Sequence, residues 1–305
     1  MFQSHWGEII ALGTAICWTA TALTFQKATS RVGSLSVNIL RLLIALIIYA
    51  VVSKIIRGTF LPLDASPHIW IWMTISGLIG FVFGYFFLFK SYEYVSARIS
   101  MLMMSLSPPI AAFISWLVLG ETLSVKSMFA MLVTLIGIVT VITEKKKFTV
   151  NATETKNKLK IKYSIRGLVY AFGGAIGQAG GIVVSKYGMA NYSVFAATQI
   201  RVIAGSIGFV VLVFLMRQWG QFFVTVKDKR TMLYISIGAF FGPFIGVYLS
   251  LLSVKYTSVG IASTIMAIIP ILIIPPAIIL FKEKVTLKEI IGSIITVGGV
   301  VLFFV

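Results

Sequence analysis

The chain has 305 residues, 58% of them hydrophobic, and its mean hydropathy of +0.99 exceeds that of an ordinary soluble domain. Its formal charge of +17 comes from basic residues that stand singly between apolar runs or gather in one linker, which fits anchoring at anionic headgroups and argues against a nucleic-acid partner. The lone Cys17 excludes a disulfide framework, and His5 and His68 have no neighbouring carboxylates to build a metal site, so no metal or cofactor is expected.

A helix needs about 20 apolar residues to cross the hydrocarbon core. The segments 6–26, 37–53, 69–89, 99–119, 127–143, 167–186, 194–216, 232–252, 259–281 and 287–305 all qualify. No Lys or Arg precedes the first of them, so it reads as a retained span rather than a cleaved signal peptide. The expected fold class is an all-α integral membrane protein with ten transmembrane helices.

The chain repeats itself. Sliding Gly84 to Glu121 onto Gly246 to Glu283 by 162 positions superposes Gly84, Ser91, Tyr94, Met104, Pro108 and Glu121 on Gly246, Ser253, Tyr256, Met266, Pro270 and Glu283. The register continues through Thr134 and Gly137, which meet Thr296 and Gly299, for about a dozen identities in roughly sixty columns. At a spacing of 160, Gly7, Ala11, Gly13 and Ala15 meet Gly167, Ala171, Gly173 and Ala175, and Arg41 meets Arg201. The expected domains are a first five-helix repeat at 1–143, a basic polar linker at 144–164 and a second five-helix repeat at 165–305. An odd number of spans per repeat inverts the second copy, an arrangement that secondary transporters use to build one site between two related bundles.

Taken in chain order, the first span offers Trp18, Thr19 and Thr21, and the second offers Arg41. The third carries Tyr85; the fourth carries Ser105 and Pro108. Pro108 withholds a backbone donor from the carbonyl one turn earlier, near Met104, and Pro270 does the same near Met266; in a membrane such carbonyls need a protein partner or a watered cavity. Glu121, which follows the fourth span, and its mate Glu283 read as structural caps, with Ser124 and Thr286 opening the helices that follow. Gln178 in the sixth span matches Trp18, and Arg201 lies in the seventh. Tyr248 follows in the eighth, and Ser263 and Thr264 in the ninth. Small residues every four positions, at Gly173, Gly177 and Gly181 and at Gly238, Gly242 and Gly246, are expected to let helix backbones approach closely.

The expected substrate-binding set is therefore Trp18, Thr19, Arg41, Tyr85, Ser105, Gln178, Arg201, Tyr248, Ser263 and Thr264, with kinks at Pro108 and Pro270. Each has a blander reading: the arginines as snorkelling side chains, the polar residues as packing, the prolines as shape alone. No carboxylate lies at the middle of a span, and no nucleotide, zinc or serine-hydrolase motif is present, so neither a buried-acid proton relay nor an enzyme is expected. The loops after odd-numbered spans hold 19 Lys and Arg and those after even-numbered spans hold 5, which puts both termini outside the cytoplasm by the positive-inside rule.

Trp18 midway along the first helix with Lys27 at its end, Arg41 in the second, Pro108 in the fourth and Leu119-Gly120-Glu121 before the fifth together resemble the EamA family of the drug/metabolite transporter superfamily. The second copy keeps Arg201, Pro270 and Glu283, with Lys282 where the family usually has Gly. The resemblance implies a secondary transporter, commonly a bacterial inner-membrane exporter of amino acids or related metabolites, working by alternating access. It implies a central site held by the first, third, fourth, sixth, eighth and ninth helices, and cytoplasmic termini, opposite to the charge distribution. Exchange of anionic solutes such as phosphorylated sugars or nucleotide-sugars is the alternative, and a non-transporting scaffold or receptor is the alternative of another class. The expected partners are a small-molecule substrate and membrane lipids; a monomer suffices because both halves of the site are present, although a dimer is compatible.

Overall fold

The computed structural model describes residues 6–119, 125–151, 154–189, 191–256, 262 and 265–304. Glu121, Ser124, Ser263 and Thr264 lie outside the described residues. The first half contains α1 (Trp6–Val32), α2 (Ser34–Arg57), α3 (Pro67–Gly77), a π-helical segment (Leu78–Gly84), α4 (Tyr85–Ser91), α5 (Ala97–Met104), α6 (Ser107–Leu119) and α7 (Val125–Ile142). The second contains α8 (Ile165–Met189), α9 (Val194–Leu215), α10 (Trp219–Lys227), α11 (Lys229–Ala239), a second π-helical segment (Phe240–Gly246) and α12 (Val247–Tyr256). It ends with α13 (Ile269–Leu272), α14 (Ile274–Phe281) and α15 (Leu287–Phe304). Seven helical stretches are long and apolar enough to cross a membrane, and shorter apolar helices at Met128–Ile142 and Ile269–Phe281 accompany them.

Local chemistry sets the helix ends. Ser66 accepts from the Ile69 N–H and Pro67 takes the first position of α3, where its missing donor costs nothing. Asp228 caps α11 through the N–H groups of Arg230 and Thr231. Thr286 and Glu289 form a reciprocal capping box at the start of α15: the Glu289 N–H donates to Thr286 Oγ1 at 3.3 Å and the Thr286 N–H to Glu289 Oε2 at 2.8 Å.

The polar segments between spans have structure of their own. The polar linker contains an antiparallel hairpin, β1 (Thr143–Asn151) with β2 (Glu154–Ile161), pairing Thr143 with Ile161 and Phe148 with Lys156. The strand formers Phe148, Thr149 and Val150 lie amid lysines, and the ladder satisfies backbone groups that an irregular linker would leave to water. The chain is thus helical except at the linker. The loop expected after the seventh span also contains a helix, α10, where Trp219 and Phe223 each pack edge-on against Phe222 and tilt against one another.

The spans expected at 69–89 and 232–252 are helices with a π-helical segment inserted at matching places: Leu78 to Gly84 becomes Phe240 to Gly246 on adding 162. The second segment contains Pro243 and the first contains no proline, so the ring alone does not explain the shared geometry. Side chains from α2 serve carbonyls within the second segment and just past the first: Tyr49 Oη donates to the Phe244 carbonyl at 2.9 Å and Asn38 Nδ2 to the Tyr85 carbonyl at 3.3 Å.

Close backbone approach holds the two halves together. Gly84 and Gly177 face each other so tightly that a Cβ on Gly177 would lie 2.6 Å from the Gly84 nitrogen. The related contact between α1 and the second π-helical segment puts Trp18 Nε1 2.9 Å from where a Gly246 Cβ would stand. Helices α7 and α15 pack reciprocally, with Gly137 against the Thr296 backbone and Gly299 against that of Thr134. Gly137 aligns with Gly299 and Thr134 with Thr296, so the contact between α7 and α15 has the form of an internal two-fold.

Candidate functional site

The break between α5 and α6 follows from Pro108 and Pro109, which have no N–H for the carbonyls of Met104 and Ser105. The chain tightens instead: Ser105 N–H donates to the Leu102 carbonyl and Leu106 N–H to that of Met103. In the second half Pro270 removes the donor due to the Met266 carbonyl, and Ile268 N–H turns back to the carbonyl of Ile265. Both breaks face one cavity of about 100 Å³.

The lining divides into aligned pairs and a one-sided remainder. Met104, Ser105, Ser107 and Pro108 line it together with their counterparts Met266, Ala267, Ile269 and Pro270, and Trp18 and Ala22 line it with Gln178 and Ile182. Tyr85, Leu88, Phe89, Tyr92 and Met101 extend it along the end of the bundle where α4 stops and α5 begins. Thr21 and Ala111 complete the wall. The lining is therefore aromatic and apolar with a few orienting polar groups, the usual make-up of a small-molecule site.

Among the residues singled out from sequence, Trp18, Tyr85, Ser105, Gln178, Pro108 and Pro270 meet at this cavity. Thr19 does not line it; its hydroxyl is spent within α1 on the Ala15 carbonyl at 2.8 Å. Tyr248 packs beside Phe195 and the cluster of Met73, Ile200 and Leu251. Sequence reasoning missed Phe89, Tyr92 and Met101. Their signal was present only as apolar residues near helix ends, indistinguishable from packing until the chain is folded.

Arg41 and Arg201 stand behind the wall rather than in it. Arg41 is 1% exposed, its Nε donates to Asn38 Oδ1 at 3.0 Å, and its Cζ lies 4.2 Å from the Tyr85 ring centre and 4.6 Å from that of Phe89. Arg201 is 4% exposed and 5.3 Å from the Phe81 ring, which stacks on Tyr85. Among the described residues no carboxylate pairs with either one, and Arg41 Nη2 and Arg201 Nε have no hydrogen-bond partner. Aromatic faces attract a cation, but they do not neutralise it.

Charged contacts join the halves at both ends. At the end where α5 begins, Arg98 Nε meets Glu283 Oε2 at 3.1 Å, Ser96 Oγ donates to the same oxygen, and Lys162 Nζ meets Glu289 Oε1 at 2.7 Å. Tyr163 Oη also donates to Glu289 Oε1. At the opposite end Arg57 Nη2 lies 2.6 Å from Asp64 Oδ1, which accepts from Tyr192 Oη at 3.0 Å. Desolvation pushes the Asp64 carboxyl up, but the hydrogen bonds from Arg57 and Tyr192 outweigh it and hold the group below the ordinary carboxylate range.

The model of the EamA-like transporter family matches the chain twice, over residues 5–143 and 165–305. The chain belongs to the EamA-like transporter family. An EamA protein is an integral membrane transporter of the drug/metabolite transporter superfamily and not an enzyme. Among 28 matching chains of solved structure, one protein of known crystal structure is 16% identical over 97% of this EamA chain and 95% of its own, with a TM-score of 0.63, a likeness that shows the fold alone. No curated protein matches. In this EamA chain the cavity sits between the two matched regions, with lining residues from each.

Proposed function

We propose that the chain is a secondary active transporter that exports small organic metabolites, amino-acid-like or related solutes, across the bacterial inner membrane by alternating access. The observation that supports it is the paired lining: six aligned residue pairs, from Trp18 with Gln178 to Pro108 with Pro270, surround one cavity between two halves. A site made of equivalent residues from inverted halves is reached from either side by rocking one half against the other. The one-sided extension by Tyr85, Phe89 and Tyr92 then belongs to the access route of a single state. The basic loops gather at that end, which supports a cytoplasmic position for it.

Exchange of phosphorylated sugars has less support, because no Lys or Arg lines the cavity among the described residues and a phosphate dianion needs direct donors. Counterflow in proteoliposomes tests the proposal. Accumulation of a labelled metabolite driven by preloaded unlabelled solute is the expected result. Saturable binding without accumulation, across amino acids, amines and organic acids, would leave a receptor or scaffold in its place.

A further inference from the structure

We infer that the cavity selects organic monoanions, an apolar or aromatic body carrying one carboxylate, over amines and other cations; this rests on the transport reading of the same cavity. Three observations carry it. Arg41 stands against Tyr85 and Phe89, the two rings that form one cavity wall, and no carboxylate of the described residues compensates its charge. Arg201 adds a second uncompensated guanidinium behind Phe81, which stacks on Tyr85. Nor is there an acid among the described lining residues to receive an ammonium group.

A unit charge in a region that water does not screen acts across one layer of rings, so the cavity carries a positive potential. Ser105, one of the lining residues, has a hydroxyl that is buried without a protein partner and is suited to a carboxylate. The aromatic and methionine wall accounts for the rest of the solute, since it can pack an apolar or aromatic body. One feature opposes this selection. The Met104 and Met266 carbonyls, deprived of donors by Pro108 and Pro270, attract positive groups, but each carries a partial charge whereas each arginine carries a full one.

Benzoate, benzamide and benzamidinium share size and shape while differing by one charge at each step, and binding of each to the full-length purified protein at fixed ionic strength tests the inference. Benzoate is expected to bind about tenfold or more tighter than benzamidinium, with benzamide between them. In Arg41→Gln that ratio is expected to fall to about threefold or less while benzamide affinity is kept. If this variant does not fold, the wild-type series still decides the sign. Equal affinities, benzamidinium ahead of benzoate, or no binding by any of the three overturns the inference. Benzoate preference without counterflow of benzoate or any other solute refutes transport and leaves the anion preference standing. Counterflow of benzamidinium in preference to benzoate does the reverse.

Discussion

Replacing Gly177 by Ala probes the contact that joins the halves beside the cavity. The added Cβ would lie 2.6 Å from the Gly84 nitrogen and closer still to its Cα, both of them backbone atoms that no rotamer change can move. Restoring ordinary contact requires α8 and the first π-helical segment to separate by about 1 Å. Overpacking of this kind costs about 1–3 kcal/mol. Ala recovers about 0.5–1 kcal/mol of helix propensity, so a net loss of about 1–2 kcal/mol is expected. Gly298→Ala is the matched control, because nothing lies within 4 Å of its added Cβ. That variant keeps the propensity gain without the clash. Thermal unfolding in detergent should place Gly177→Ala several degrees below the parent and Gly298→Ala at or slightly above it. Equal unfolding temperatures for the two variants would refute the claim that glycine contact sets the helix spacing.

Three further outcomes follow from the geometry. Glu283→Gln removes the closer acid from Arg98, itself 5% exposed, and should cost about 1–3 kcal/mol in thermal unfolding; a cycle with Arg98→Met should show coupling between the two. Asp64 has a folded-state pKa below its unfolded value, so its contribution is complete above about pH 4 and disappears as the pH falls through the lowered value. The pair is half exposed, so the loss should stay within about 1 kcal/mol and be absent in Asp64→Asn, as unfolding scans from pH 7 to pH 3 would report. Tyr49→Phe removes the donor to the Phe244 carbonyl and should destabilise by about 1 kcal/mol, whereas Tyr187→Phe, on an exposed ring, should change stability little.

The two-repeat architecture was legible because equivalent spans demand equivalent side chains: Pro108 and Pro270, or Thr134 and Thr296, recur at fixed spacing where the same packing recurs. The cavity was legible where a residue type is unusual for a span, as with Trp18, Gln178 and the prolines. It was not legible where the useful residue is an ordinary apolar one, as with Phe89 and Met101. The π-helical segments left no direct mark, since Leu78 to Gly84 and Phe240 to Gly246 share glycines that close packing also explains. Arg41 and Arg201 stood out as cations within spans, but sequence could not show that rings shield them from the cavity. Tyr85 and Phe89, the shielding residues, become neighbours of Arg41 only when α2 and α4 pack. The hairpin was missed because seven lysines between 145 and 162 read as a solvated linker, a composition that leaves backbone pairing open.

Transport through the paired cavity is tested most directly by counterflow in proteoliposomes with Gln178→Ala and Met266→Ala beside Ile207→Ala, a substitution on the 60% exposed outer face. The account predicts that the first two reduce accumulation about tenfold or more at matched protein folding while the third keeps it. Accumulation unchanged in all three would place the transport path elsewhere and contradict the account.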